Sequence, residues 1–197
     1  ALAREHGAHL ILDEVATGFG RTGTMFACGQ AGVSPDFLCL SKGLTGGTMP
    51  LAATLTTAEV YNSFLGGPDS GKTFYHGHTY TANPVGCAAA LASLDLFEEE
   101  ELVDNVARLA PRLAEGVREL AGLPLVGDVR GIGMVAALEL VSDEDTKEPL
   151  PGTAPVFREI VAAWAAQGRG PMTMPTSELV RGEDPPASAA GRVPDVR

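Results

Sequence analysis

The carboxylate of Asp13 and the primary amine of Lys42 are the most informative pair of reactive groups in the sequence. Asp13 follows a short apolar run that we predict as a buried strand from His9 to Leu12, and Lys42 ends a second apolar segment, DFLCLSK, predicted as a strand from Asp36. Ligands of open α/β sheets bind beyond the carboxyl ends of the strands, so these two side chains could face one ligand. From spacing alone, a plainer interpretation stays open, in which the two residues only cap strand ends.

A carboxylate and a primary amine at one site suggest a specific cofactor chemistry. A lysine that has lost its proton is a nucleophile that bonds to an aldehyde, and an aspartate that faces a pyridine nitrogen keeps that nitrogen protonated. Pyridoxal phosphate carries both an aldehyde and a pyridine nitrogen. The pair of Asp13 and Lys42 is therefore compatible with a pyridoxal-phosphate site.

The stretch GGPDSGKT, from Gly66 to Thr73, matches the phosphate-binding P-loop pattern at every fixed position. A P-loop functions because a buried strand enters the glycine-rich turn and a helix leaves it, which aims backbone N–H groups at the phosphate. Here the preceding YNSFL is helical in character, and the following FYHGHTYTANP contains residues that do not begin a helix. We therefore predict no nucleotide site, and we interpret Lys72 as a solvated loop lysine.

The order of the predicted elements indicates an α/β fold. After the first two strands, LAATLTT is predicted as a third strand, AEVYNSFL from Ala58 as a helix, and Asn83 to Glu101 as a long helix that starts at an Asn-Pro pair. A further helical segment follows, in which Pro111 marks a break or a new first turn. VGDVRGIGMVAALELV is then predicted as a turn and a strand that open a smaller α+β domain.

Composition and charge limit the possible partners. The 197 residues carry a formal net charge of −11, which disfavours binding to nucleic acid or to anionic membranes. No apolar run reaches membrane-spanning length, and we expect a cytoplasmic protein.

Cys28, Cys39 and Cys87 show no metal-ligand spacing and are predicted to be reduced, buried thiols. His76 and His78 lack a carboxylate partner, so we predict no metal site.

Two segments, LILDEVATGFGRTG and PDFLCLSKGLTGGTMPLAATLTT, closely resemble the class III aminotransferases of fold type I, which use pyridoxal phosphate. The resemblance extends from about Leu10 to about Glu139, and within the family it is greatest to the branch that acts in biotin synthesis. It implies that Asp13 binds the pyridine nitrogen and that Val15 packs against the ring. It also implies that Lys42 is the catalytic lysine, which bonds to the cofactor and moves the substrate proton.

The resemblance also assigns roles to the segment HGHTYTANP. It implies a homodimer in which Thr79 of one subunit binds the cofactor phosphate of the other. Gly77 matches a position whose backbone contacts substrate, and His78 matches a cofactor-binding position at which many members of the family branch have proline. The implied substrates are a small-molecule amino donor, S-adenosylmethionine or lysine, and a keto acceptor. Two alternatives stay open: a class III aminotransferase that acts on ω-amines, and a non-catalytic remnant.

The resemblance further implies how the chain divides. Residues 1–110 match the C-terminal portion of the cofactor-binding large domain, which contains a mixed sheet, and residues 111–168 match part of the small C-terminal α+β domain. Residues 169–197 contain several prolines and no apolar period, and we predict a disordered or divergent tail. Because the sequence starts in mid-domain and lacks the family's N-terminal half, we expect a fragment whose activity alone stays open.

Overall fold

The computed structural model describes residues 2–150, together with the single residues 159, 162 and 166. The predicted tail of residues 169–197 lies outside the described residues, as does most of the segment from 151 to 168. The chain separates into two compact units, one of residues 1–123 and 128–138 and the other of residues 124–127 and 139–197. The division at residue 110 that the family resemblance implies stays a prediction.

Helices and strands are interspersed along the described chain, as the sequence predicts for an α/β protein. In chain order they are α1 (Leu2–Glu5), β1 (Ile11–Asp13), α2 (Ala27–Gln30), β2 (Phe37–Leu40), β3 (Ala53–Thr56), α3 (Ala58–Ser63), α4 (Pro84–Glu99), α5 (Leu102–Arg118), β4 (Val126–Ile132), β5 (Val135–Asp143) and β6 (Glu148–Pro149). Short 3-10 turns occur at Lys42–Leu44, Pro68–Ser70 and Glu119–Gly122.

The sheet with strand order β1-β2-β3 brings the two candidate residues to one end. β1 and β2 are parallel, with Asp13 opposite Cys39, whereas β2 and β3 are antiparallel, with Leu40 opposite Ala53. Because parallel strands end on the same side, Asp13 and the residues that follow Leu40 lie at the same end of the sheet. The prediction of a buried first strand is wrong, since Ile11 is 62% exposed on a strand that forms the sheet edge within the described residues.

Polar caps start α3 and α4. At the start of α3, Thr57 Oγ1 accepts a hydrogen bond of 3.3 Å from the N–H of Val60. At the start of α4, Asn83 Oδ1 accepts a hydrogen bond of 2.9 Å from the N–H of Val85, and Pro84 occupies the first helical position. These caps satisfy N–H groups that have no partner within the helix. The long helix therefore begins at the predicted Asn-Pro pair.

α5 continues through Pro111, so the predicted break at this proline is wrong. The turn between the two long helices lies earlier, at Glu101, whose backbone φ is 48°. Half-buried residues repeat at helical spacing on both sides of the proline, at Val103, Val106, Ala110, Leu113 and Val117. Burial of this continuous face offsets the hydrogen bond that proline removes from the helix.

The segment predicted as a turn and one strand forms two strands, β4 and β5, joined at Gly133 and Met134. The N–H of Met134 donates a hydrogen bond of 2.8 Å to the carbonyl oxygen of Arg21. Gly133 has a φ of 59°, and an added Cβ there would overlap the backbone of Thr22. The tip of this hairpin therefore lies against the glycine-rich loop that follows β1. A second sheet has the strand order β4-β5-β6.

Within residues 2–150 and the three single residues, no helix has both the length and the apolar character needed to cross a membrane. The three cysteines are free, and Cys28 and Cys39 are partly buried. The prediction of a buried thiol is wrong for Cys87, which is exposed because it lies off the face of α4 that buries Gly86 and Ala90.

Candidate active site

Asp13 ends β1 with an exposed carboxylate at the carboxyl end of the sheet. Its Oδ1 accepts a hydrogen bond of 2.9 Å from the N–H of Val15. No hydrogen bond from within the described residues reaches Oδ2. A carboxylate held through one oxygen keeps the other available to a protonated ring nitrogen. The geometry therefore fits the role predicted for Asp13 and keeps Val15 in the same turn.

Lys42 opens the 3-10 turn that follows β2, and its side chain is exposed. Its φ of 45° lies in the left-handed region, which costs a residue with a side chain about 1–2 kcal/mol. Within the described part of the chain, the Lys42 amine forms no ion pair, so it is available to a ligand. Strained backbone conformations of this kind concentrate at functional sites. Within the described residues, Lys42 thus has an amine without an ion pair, and Asp13 has a carboxylate with one oxygen that accepts no hydrogen bond. Both lie at one end of the sheet, which fits a cofactor that needs both groups.

Two hydroxyl groups hold the loop around Lys42. Ser41 Oγ donates a hydrogen bond of 2.8 Å to the carbonyl oxygen of Leu51, which precedes β3. Thr45, which is buried, donates from Oγ1 to the carbonyl oxygen of Met49 over 2.6 Å. The Ser41 bond joins the start of the loop to its end, and the Thr45 bond closes a turn within it, so the two hydroxyls restrain the backbone before and after Lys42.

Glu14, the residue after Asp13, is a buried carboxylate with a side chain only 2% exposed. It accepts hydrogen bonds from the hydroxyl of Thr17 over 2.6 Å and from the N–H groups of Cys28 and Ala27 over 2.7 and 3.0 Å. Burial opposes the charged form, but these hydrogen bonds outweigh it and lower the pKa of Glu14 below its ordinary value of 4.5. Glu14 thus ties the glycine-rich loop to the strand end that carries Asp13.

Burial raises the pKa of the neighbouring Cys28 thiol, and the adjacent Glu14 carboxylate raises it further. The thiol of Cys28 therefore stays protonated at neutral pH. A protonated, partly buried thiol is a poor nucleophile, so Cys28 has a packing role in this loop.

Gly77, His78 and Thr79 lie in an exposed segment between the 3-10 turn Pro68–Ser70 and α4. The N–H of His78 donates to Thr81 Oγ1 over 2.9 Å, and His78 Nδ1 accepts from the N–H of Tyr80 over 3.1 Å. These bonds are local, and among the described residues none joins the segment to Asp13 or Lys42. The structure therefore places Asp13, Val15 and Lys42 at one end of the sheet, apart from the segment of Gly77, His78 and Thr79, and the roles of all six residues stay predictions.

The P-loop-like stretch from Gly66 to Thr73 forms a 3-10 turn after helix α3. No strand enters this turn and no helix follows it before α4, so the context that a P-loop requires is not formed. Within the described residues, no three His, Cys, Asp or Glu side chains are grouped as metal ligands.

Sequence interpretation missed two residues that shape the site, Glu14 and Ser41. Glu14 could have been found as an acidic residue next to a strand end with a hydroxyl three positions on, at Thr17. Ser41 gives no such signal, because its partner, the carbonyl oxygen of Leu51, becomes a neighbour only after the loop closes.

Comparison with protein families matches residues 1–180 to the aminotransferase class-III family. The chain is 57% identical over 148 residues to the adenosylmethionine-8-amino-7-oxononanoate aminotransferase of Geobacter sulfurreducens, covering 75% of this chain and 33% of the relative. It is 55% identical over 150 residues to the enzyme of the same name from Aquifex aeolicus, covering 76% of this chain and 33% of the relative. The chain thus spans about a third of the length of these relatives.

Solved structures of aminotransferases share the fold. The adenosylmethionine-8-amino-7-oxononanoate aminotransferase of Methanocaldococcus jannaschii superposes with a TM-score of 0.80 at 47% identity, covering 85% of this chain and 39% of that chain. An amine transaminase from an uncultivated Pseudomonas species, in its PLP-bound form, gives a TM-score of 0.77 at 41% identity, covering 85% of this chain and 38% of that chain. The predicted α/β fold of type I is confirmed.

Proposed function

The chain belongs to the class III aminotransferase family, and we propose that it supplies the lysine and the ring-binding aspartate of a pyridoxal-phosphate enzyme of biotin synthesis. The proposed reaction converts 8-amino-7-oxononanoate to 7,8-diaminononanoate, with S-adenosylmethionine or lysine as the amino donor. Relatives with names that specify 8-amino-7-oxononanoate, at 44–57% identity, support this substrate. The single observation that carries the proposal is the placement of Asp13 and Lys42 at the ends of adjacent parallel strands.

The residues of this chain divide the chemistry between them. When bound, pyridoxal phosphate supplies an electron sink for a substrate carbon that loses its proton. The Nζ atom of Lys42 would hold the cofactor through its aldehyde and would move that proton between carbon atoms. Asp13 Oδ2 would hold the proton on the ring nitrogen, and Val15 would pack against the ring.

The segment before α4 completes the proposed site across a homodimer. Thr79 hydrogen-bonds the cofactor phosphate of the partner subunit, His78 adds a second cofactor contact, and the backbone of Gly77 contacts substrate. Support comes from the exposure of all three residues and from the Thr79 hydroxyl, which has no hydrogen bond within the described residues. The residues before and after Thr79 bond among themselves, which leaves its hydroxyl available to a phosphate.

The amino-transfer assay needs two forms of the protein. One is the chain itself, and the other is a chimera in which this chain replaces its matched segment in the Methanocaldococcus jannaschii relative, which is 53% identical over 152 residues. Each form receives pyridoxal phosphate, 8-amino-7-oxononanoate and either S-adenosylmethionine or lysine, and mass spectrometry quantifies 7,8-diaminononanoate. We expect product from the chimera and none from its Lys42→Ala variant.

Two results would contradict the proposal. An inactive chimera that retains bound cofactor would show that this chain cannot support the reaction. If transfer from a simple ω-amine to pyruvate is faster than transfer to 8-amino-7-oxononanoate, the alternative of an amine transaminase is favoured. The 41% identical amine transaminase is a solved example of that class. The chain assayed alone shows whether its residues suffice without the rest of the relative.

A further inference from the structure

One face of α4 lies against the loop that follows β2. Gly86 and Ala90 are buried on this face, and Ser93 and Phe97 are half-buried on it. The spacings of three and four residues place all four on one side of the helix. A Cβ added to Gly86 would lie 3.5 Å from a methyl group of Leu51, at the end of that loop.

Ser93 is the polar residue of this face, and it bonds the residue after Lys42. Its Oγ donates a hydrogen bond of 3.2 Å to the carbonyl oxygen of Gly43, fifty residues earlier in the chain. On the other side of Lys42, the hydroxyl of Ser41 bonds the carbonyl oxygen of Leu51. Lys42 is therefore flanked by two residues that hydroxyl groups hold in place.

Phe19 also contacts Gly43. A Cβ added to Gly43 would lie 2.5–2.8 Å from the Cβ and ring atoms of Phe19, so the aromatic side chain rests directly on this residue. Phe19 is only 7% exposed, and its ring centroid lies 6.0 Å from that of Phe97, one turn after Ser93 on α4. Ser93 of α4 thus bonds Gly43 directly. Phe97 of α4 contacts Phe19, and Phe19 in turn packs on Gly43.

Lys42 needs such support because its φ of 45° is disfavoured for a residue with a side chain. We propose that Ser93 is a positioning residue for Lys42: by holding the carbonyl of Gly43, it keeps the turn in the conformation that aims the lysine amine at the cofactor. This inference rests on the proposed function of Lys42. In this proposal, α4 positions Lys42 in addition to packing against the loop that follows β2.

The test compares Ser93→Ala and Ser93→Thr in the full chain with Ser63→Ala. Ser63 is a matched control, because its hydroxyl also donates to a carbonyl oxygen, that of Val60 over 2.6 Å, within α3. The first readout is hydrogen exchange of the Leu44, Thr45 and Gly46 amides, which bond back to residues 41–43 over 3.0–3.3 Å. The second is the rate at which borohydride traps pyridoxal phosphate on Lys42.

We expect Ser93→Ala to speed exchange of these amides and to slow trapping on Lys42, each by about two- to tenfold, the range that one net hydrogen bond supports. Ser93→Thr keeps the hydroxyl and should restore both values, and Ser63→Ala should change neither. Unchanged exchange in Ser93→Ala overturns the proposal, as does faster exchange with an unchanged trapping rate. If neither the unsubstituted chain nor its chimera with the Methanocaldococcus jannaschii relative traps cofactor on Lys42, the proposed function fails, and exchange alone then decides whether Ser93 holds the turn.

Discussion

The carboxylate of Glu14 accepts a hydrogen bond of 2.7 Å from the N–H of Cys28 and so closes the glycine-rich loop that follows Asp13. The N–H of Glu14 also donates to the carbonyl oxygen of Cys39 on the neighbouring strand over 3.0 Å. Because Glu14 directly follows Asp13, the hydrogen bonds of its carboxylate and of its N–H fix the backbone that presents the Asp13 carboxylate. The buried glutamate therefore links the stability of the loop to the geometry of the site.

We expect Glu14→Gln to lower the free energy of unfolding by about 1.5–3 kcal/mol, the value of hydrogen bonds to a charged group. The amide keeps the shape of the side chain but removes the charge that three donors share. Urea unfolding measures the effect. Glu98→Gln, on an exposed residue of α4, is the control, and an equal loss in both variants would contradict the account.

The stabilising contribution of Glu14 should depend on pH. Its pKa is lower in the folded chain than the ordinary value of 4.5, so its contribution is fully present above 4.5 and is lost as the pH falls through the lower folded value. We expect the difference in unfolding free energy between the unsubstituted chain and Glu14→Gln to shrink as urea unfolding is repeated from neutral pH to well below 4.5. A difference that stays constant or grows on acidification would show that the charge of Glu14 is not the stabilising feature.

The positions of Asp13 and Lys42 at strand ends could be predicted from sequence because each ends an apolar run, which is a local signal. The structure shows that these two strands pair in parallel, which places both ends on the same side of the sheet. Burial could not be predicted in the same way, since the sequence predicts Ile11 as apolar core, whereas it is exposed on a strand at the sheet edge within the described part of the chain. The break predicted at Pro111 is wrong because burial of the helix face on both sides of the proline outweighs the cost of the hydrogen bond that proline removes. Ser93 was missed because its partner is fifty residues away.

We expect Gly133→Ala to destabilise the chain by about 1–3 kcal/mol, because a residue with a side chain is strained at a φ of 59° and its Cβ would overlap the backbone of Thr22. Gly122→Ala is the matched control, since no atom lies within 4 Å of an added Cβ at that position. Thermal unfolding of the two variants provides the comparison. Equal stability of the two would contradict the close contact between the hairpin tip and the loop after β1.

The proposed role of Thr79 across the dimer predicts complementation between two defective chains. Thr79→Ala should weaken pyridoxal-phosphate binding by about tenfold, through loss of a hydrogen bond to a charged phosphate. Mixing that variant with Lys42→Ala should restore binding, because the second chain supplies Thr79 to the intact Lys42 of the first. Equilibrium dialysis of the mixture measures this, with Thr73→Ala as the control variant. If mixing does not restore pyridoxal-phosphate binding, Thr79 either acts within its own subunit or does not bind the phosphate.

The assignment of Lys42 as the cofactor lysine can be tested by locating the lysine that bonds to pyridoxal phosphate. The chain has three lysines, Lys42, Lys72 and Lys147, so borohydride reduction with pyridoxal phosphate followed by peptide mass spectrometry gives an unambiguous position. We expect the label on Lys42, its loss in Lys42→Ala and no change in Lys72→Ala. Equal labelling of the three lysines, or a label that persists in Lys42→Ala, would contradict the assignment of Lys42 as the cofactor lysine.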